Sequence, residues 1–170
     1  MDLKSKIRNI PDFPKKGIVF RDITPLIRDK EAFKYAIDEM ARQYEGKKID
    51  AILGAEARGF IFGAALAYKI SAGFIPVRKP GKLPYKTIKR SYDLEYGSDS
   101  VEIHEDALIN GTRVLLVDDL IATGGTARAA ADLIKEIGGE LVGIAFLVEL
   151  SFLKGSEKLP GENLFSLLKY

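Results

Sequence analysis

The chain has 170 residues, with 26 Lys plus Arg against 24 Asp plus Glu, a formal net charge of +2, no Cys and one His. That length suits one domain and buries roughly 70% of the unfolded surface without a metal or disulfide staple. The near-balanced charge gives no support to a nucleic-acid-binding module, the missing Cys excludes disulfide scaffolds, thiol catalysis and zinc–thiolate or iron–sulfur sites, and the single His excludes multi-histidine metal sites. No apolar run approaches the about 18 residues of a membrane span. The start, MDLKSKIRNI, lacks the apolar core of a signal peptide. A soluble, cytoplasmic single domain over 1–170 is expected.

In chain order, apolar residues at 3, 7 and 10 predict a short helix over 3–10, ended by Pro11 and Pro14. Residues 17–27 (GIVFRDITPLI) read as an extended arm, because Pro25 interrupts them. Apolar or small residues at 32, 33, 36, 37, 40, 41 and 44 predict a helix over 31–44. A short buried strand is expected at 49–55, an Ala-rich helix at 60–70 and a strand at 74–77. Strands within 109–117 and 141–150 flank a helix at 126–137. This alternation predicts an α/β fold, a central mostly parallel sheet flanked by helices. Residues 79–100 hold Gly, Pro, Lys and Tyr with little periodicity. Such a long connection reads as a flexible lid loop.

The most informative stretch is 114–126, VLLVDDLIATGGT. An apolar strand ends in Asp118 and Asp119, and a loop of Ala122, Thr123, Gly124, Gly125 and Thr126 opens a helix. Glycines expose backbone N–H groups, the helix directs its positive end at the loop, and the Thr hydroxyls add donors. The result is a cradle for a phosphate monoester. Neither GxxxxGK[ST] nor GxGxxG is present. Two adjacent acids beside a phosphate site suit the vicinal hydroxyls of a ribose whose 5-phosphate sits in the loop.

Strand, acid pair and Thr/Gly loop together resemble the phosphoribosyl-pyrophosphate motif of the type I phosphoribosyltransferases. FPKKGIVFRDITPLI (13–27), ILGAEARGFIFG (52–63), PVRKPGKLP (76–84), YDLEYG (92–97) and LVELSFLKG (147–155) narrow the resemblance to the adenine-using members of that family. The one small departure is Glu56, where some relatives have Asp. The resemblance implies transfer of the phosphoribosyl group of phosphoribosyl pyrophosphate to adenine, giving AMP and pyrophosphate.

It also implies roles for single residues. Arg58, in the turn after the strand at 49–55, would touch pyrophosphate. Its guanidinium offers a planar fork of donors for phosphate oxygens, and Gly59 permits close backbone approach. A surface pair with Glu56 is the competing reading. Arg78, Lys79 and Lys82 would neutralise the leaving diphosphate, where an ordinary solvated charge run is the alternative. Glu95 would handle the proton of the purine, with Tyr96 closing over the site. Residues 1–30 would form a small hood, in which backbone groups of Val19 and Arg21 read the adenine edge and Phe20 packs nearby. From the residues alone, Ile18, Val19 and Phe20 instead seal the arm to the core. Mg²⁺ is expected as a companion of the diphosphate, possibly near Asp118 and Asp119, with no metal held mainly by the protein. A homodimer is expected, with no nucleic-acid or membrane partner. His104, flanked by acids, receives no chemistry. A phosphoribosyltransferase for another base and a non-catalytic sensor of phosphoribosyl pyrophosphate stay open as alternatives.

Overall fold

The computed structural model describes residues 1–93 and 97–170. From the N-terminus, β1 (Arg8–Pro11) and β2 (Val19–Asp22) pair antiparallel in a small sheet of their own. Then come α1 (Thr24–Arg28), α2 (Lys30–Arg42), β3 (Ala51–Ala55), α3 (Gly59–Ile70) and β4 (Gly73–Val77). β5 (Thr87–Asp93) and β6 (Ser98–His104) make a second antiparallel pair. β7 (Arg113–Ile121), α4 (Gly125–Glu136), β8 (Glu140–Glu149) and β9 (Leu164–Lys169) complete the chain. The central sheet is parallel throughout, in the order β4-β3-β7-β8-β9.

β7 shows why this sheet is buried on both faces. Leu115 and Val117 pack with Ala36, Met40, Phe62 and Leu66 of α2 and α3. Val114 and Leu116 turn the other way, onto Ala130, Leu133 and Ile134 of α4. An unbroken apolar run is what a doubly covered parallel strand requires. Asp29 starts α2 by accepting hydrogen bonds from the N–H groups of Glu31 and Ala32, both at 3.1 Å. That satisfies two of the donors a helix start leaves open.

The fold class stands as expected, and several local expectations change. Residues 3–10 are a single 3₁₀ turn, Lys4–Lys6, followed by strand β1. Pairing decides this: Arg8 lies opposite Asp22 and its guanidinium reaches the Asp22 carboxylate at 2.6 Å. Pro25 does not interrupt an extended arm. It sits in the first turn of α1, where its missing N–H costs nothing. Residues 79–100 are not one irregular loop, since β5 and β6 occupy much of them. The strand expected within 109–117 starts later and runs through both acids to Ile121, because β8 keeps pairing with it as far as Glu149. β9 has no counterpart among the strands the sequence predicts. It is an edge strand of half-buried Leu, Phe and Ser, with no clean alternation to mark it.

Candidate active site

β3 pairs with β4 on one side and β7 on the other, and the helices that follow β3 and β7 pack on opposite faces of the sheet. A crevice opens at the carboxyl ends of strands at such a switch point. Register aligns Gly54 of β3 with Val117 of β7, so Asp118 and Asp119 come where β3 gives way to its turn.

Beyond the acids, a cavity of about 100 Å³ is lined by Ala122, Thr123, Gly124, Gly125 and Thr126, together with Asp118 and Phe146. Gly124 starts α4 in the left-handed region, at φ +78°, and no side chain caps the helix. Its first-turn N–H groups are thus left for an anion. Only glycine fits here, because a Cβ at Gly124 would collide with the Gly155 carbonyl. Gly155 is under the same constraint, its own Cβ position running into the Ala122 carbonyl.

A second cavity of about 220 Å³ shares Asp118 and Thr126 with the first and is also lined by Glu56, Arg58, Lys79 and Asp119. Arg58 Nη2 lies 2.9 Å from Asp119 Oδ2, an ion-pair contact without hydrogen-bond alignment. The surface pair between Arg58 and Glu56 is therefore not what forms. Gly59 brings α3 onto β7, since a Cβ there would stand 2.6 Å from Asp118 Oδ1. Burial pushes the Asp118 carboxyl well above the ordinary carboxylate range, and the neighbouring Asp119 charge adds to this. Burial also raises Asp119, with Arg58 opposing. The acid pair is short of positive charge, which suits a cationic or hydroxyl-rich partner.

Of the three cations after β4, Lys79 lines the larger cavity, whereas Arg78 and Lys82 are engaged by Glu56. Arg78 Nε lies 2.9 Å from Glu56 Oε2, Lys82 Nζ lies 2.8 Å from Oε1, and the Lys79 N–H donates to Oε2 at 3.0 Å. Burial pushes Glu56 upward, but Lys82, the Lys79 N–H and Arg78 more than offset it and hold the carboxyl below its ordinary value.

At the N-terminal sheet, the Phe20 ring lies under the Arg58 guanidinium, 5.3 Å from its centre, which joins this sheet to the cleft. Arg21 stacks on Tyr170 at 4.1 Å. Val19 is 45% exposed, so the arm is not simply sealed to the core as its apolar residues suggest. Glu95 and Tyr96 lie outside the described residues. His104 accepts from the Tyr85 N–H at 3.4 Å and lines neither cavity.

Three residues at the site escaped the sequence reading as participants: Tyr92, Asp99 and Gly155. Tyr92 and Gly155 stand in quoted motifs, YDLEYG and LVELSFLKG, but nothing in their spacing ties them to the phosphate loop. Tertiary contact alone does so. Thr126 Oγ1 donates to the Tyr92 hydroxyl at 2.9 Å, and Lys79 pairs with Asp99.

Comparison with known proteins agrees with this geometry. The phosphoribosyl transferase domain family matches residues 26–166. An adenine phosphoribosyltransferase of Acidobacterium capsulatum is 60% identical over 99% of this chain and 93% of its own. The crystal structure of adenine phosphoribosyltransferase from Thermoanaerobacter pseudethanolicus superposes with a TM-score of 0.97 at 56% identity, covering 99% of this chain and 98% of that one. That of Saccharomyces cerevisiae, complexed with an imino-altritol bisphosphate and adenine, superposes with a TM-score of 0.93 at 43% identity, covering 98% and 97%. With full-length identity on this scale, and with the acid pair and glycine loop at the carboxyl end of β7, the chain belongs to the adenine phosphoribosyltransferases.

Proposed function

We infer that the chain transfers the 5-phosphoribosyl group of phosphoribosyl pyrophosphate to adenine, yielding AMP and pyrophosphate in purine salvage. The observation that carries this reading is the pair of adjoining cavities that share Asp118: a small one lined by glycines and hydroxyls, and a larger one lined by Arg58 and Lys79. The first suits a 5-phosphate, the second a diphosphate, and the acids between them suit the ribose hydroxyls. Nitrogen 9 of adenine attacks the anomeric carbon, the bond from that carbon to the diphosphate oxygen breaks, and the base loses its nitrogen-9 proton. Positive charge that develops on the ribose is matched by Asp118 and Asp119, and negative charge on the leaving diphosphate by Arg58, Lys79, Arg78 and Lys82. For Arg78 and Lys82 to act, they exchange Glu56 for the diphosphate. Glu95 is the acceptor of the base proton, Tyr96 would close over the site during transfer, and Val19, Phe20 and Arg21 form the wall that reads adenine.

Among the described residues, no group of three or more His, Cys, Asp or Glu side chains is arranged to hold a metal. Two adjacent carboxylates, one with an oxygen lacking an aligned donor, suit a hydrated Mg²⁺ that arrives with the diphosphate. When bound, that ion neutralises diphosphate oxygens. A cytoplasmic homodimer completes the proposal. No helix among the described residues is long and apolar enough to cross a membrane, and Phe152 leaves aromatic surface that a second copy would cover. Light scattering of the purified chain tests the dimer.

The activity is tested by incubation with phosphoribosyl pyrophosphate, Mg²⁺ and each purine base in turn. Adenine is expected to exceed hypoxanthine and guanine by at least about 10³-fold in kcat/KM, because buried polar groups matched to one base edge are left unpaired by another. Comparable turnover of hypoxanthine would reassign the base.

A further inference from the structure

Lys79 lines the larger cavity beside Arg58, yet its ammonium is already engaged. It is ion-paired with Asp99 of β6 and donates to the Tyr92 hydroxyl of β5 at 3.1 Å. The same hydroxyl accepts from Thr126 Oγ1 at 2.9 Å and donates to Asp99 Oδ2 at 3.2 Å. The Tyr92 ring lies against the phosphate loop, where a Cβ at Gly125 would stand 2.7 Å from Cδ2. Two residues of the β5–β6 pair thus hold one donor from each cavity.

Resting on the reading of the cleft given above, we propose that Asp99 and Tyr92 are positioning residues that act as stand-in acceptors. They hold the Lys79 ammonium and the Thr126 hydroxyl in place of substrate phosphates, and those phosphates displace them on binding. The pair thereby sets the affinity for diphosphate and ties the β5–β6 strands to occupancy of the site.

The chemistry favours the exchange. Phosphate oxygens accept charge-assisted hydrogen bonds from Lys and hydroxyl donors, and a diphosphate offers more charge than one carboxylate. Asp99 is itself held below its ordinary range chiefly by the hydrogen bond from Lys79, so that bond is the main interaction given up. The side chains of Lys79 and Asp99 keep 36% and 34% exposure, so water reaches the pair and it opens without uncovering a dry core. A ligand that must first break such a pair binds with an affinity reduced by the fraction of molecules in which the pair is open. A purely structural tie has the opposite signature: its loss loosens the site and weakens binding.

The test is calorimetric titration of the full chain with inorganic pyrophosphate in the presence of Mg²⁺. Asp99→Asn keeps the hydrogen bond from the Ser100 N–H, which Asp99 Oδ1 accepts at 2.7 Å. It is expected to tighten pyrophosphate binding about two- to fivefold, the worth of a part-exposed ion pair. Tyr92→Phe keeps the ring on Gly125 and is expected to shift binding the same way by less. Lys79→Met is expected to weaken binding, and adding Asp99→Asn to it to change nothing further. Unchanged or weaker binding by Asp99→Asn, in a variant that melts like wild type, would overturn the proposal. An equal gain in the Lys79→Met background would overturn it too. Failure of the wild type to bind pyrophosphate would overturn the cleft reading itself, and this inference with it.

Discussion

On the proposed reading, residues 122–126 and the cations Arg78, Lys79 and Lys82 would serve the same kind of ligand by different means. The loop would offer an anion its backbone. Gly124 and Gly155 interlock so tightly that neither tolerates a Cβ, and α4 begins without a side-chain cap. Nothing in the loop backbone has to exchange partners for a phosphate to bind. The cations work through side chains, and all three already have acidic partners, Glu56 or Asp99. Fixed backbone gives orientation at little entropic cost. Long side chains held on carboxylates would keep a cationic wall folded in the absence of substrate, at the expense of part of the binding free energy. On that reading one half of the cleft is preformed and the other exchangeable.

The largest expected effect falls on the acids between the halves. Asp118→Asn with Asp119→Asn is expected to lower kcat/KM by at least about 10³-fold, the scale of lost preorganised electrostatics. Asp118→Asn alone should raise Tm while it lowers activity. Its folded pKa lies above the ordinary 3.8, so the ionised form is penalised in the fold at neutral pH. The gain in Tm is therefore present near pH 7, fades as pH falls through the raised folded value, and is gone below the ordinary 3.8, where both states are protonated. Near-normal turnover by the double variant would sink the role of the pair.

On the preformed side, Gly124→Ala is expected to lower kcat/KM by about 10²-fold, since the collision with Gly155 displaces the loop. Circular dichroism checks that the fold survives. For the base proton, Glu95→Gln is expected to lower kcat by about 10²-fold while phosphoribosyl pyrophosphate binds almost normally. A large loss of affinity would make Glu95 a closure residue instead of a proton acceptor.

The smallest effect concerns Glu56→Gln, which releases Arg78 and Lys82. The folded pKa of Glu56 is depressed, so its contribution to stability is present above the ordinary 4.5 and is lost as pH falls through the folded value. A drop in Tm of a few degrees at pH 7, absent in acid, is the expected outcome of melts across pH. A drop that persists in acid would assign the loss to packing.

The same division decides what the sequence reveals. The phosphate loop is legible because strand, acids, glycines and helix are contiguous, and each follows a local rule. The acid pair lies inside a strand that β8 prolongs, a detail of pairing no local pattern carries. Val101 and Ile103 do turn into the core, but the Gly, Ser and Asp of residues 97–100 read as a turn and obscure the strand. Tyr92 and Asp99 become site residues only because the β5–β6 pair folds back on the loop. Gly155 joins the loop through a contact between distant segments. β9 is readable only once β8 is there to pair with it.

The most direct measurement is the stoichiometry of the reaction itself. With phosphoribosyl pyrophosphate, Mg²⁺ and adenine, the purified chain is expected to release AMP and pyrophosphate in equal amounts, and neither product at a comparable rate when adenine is withheld. Absence of AMP, or release of pyrophosphate at the same rate without adenine, would contradict the account.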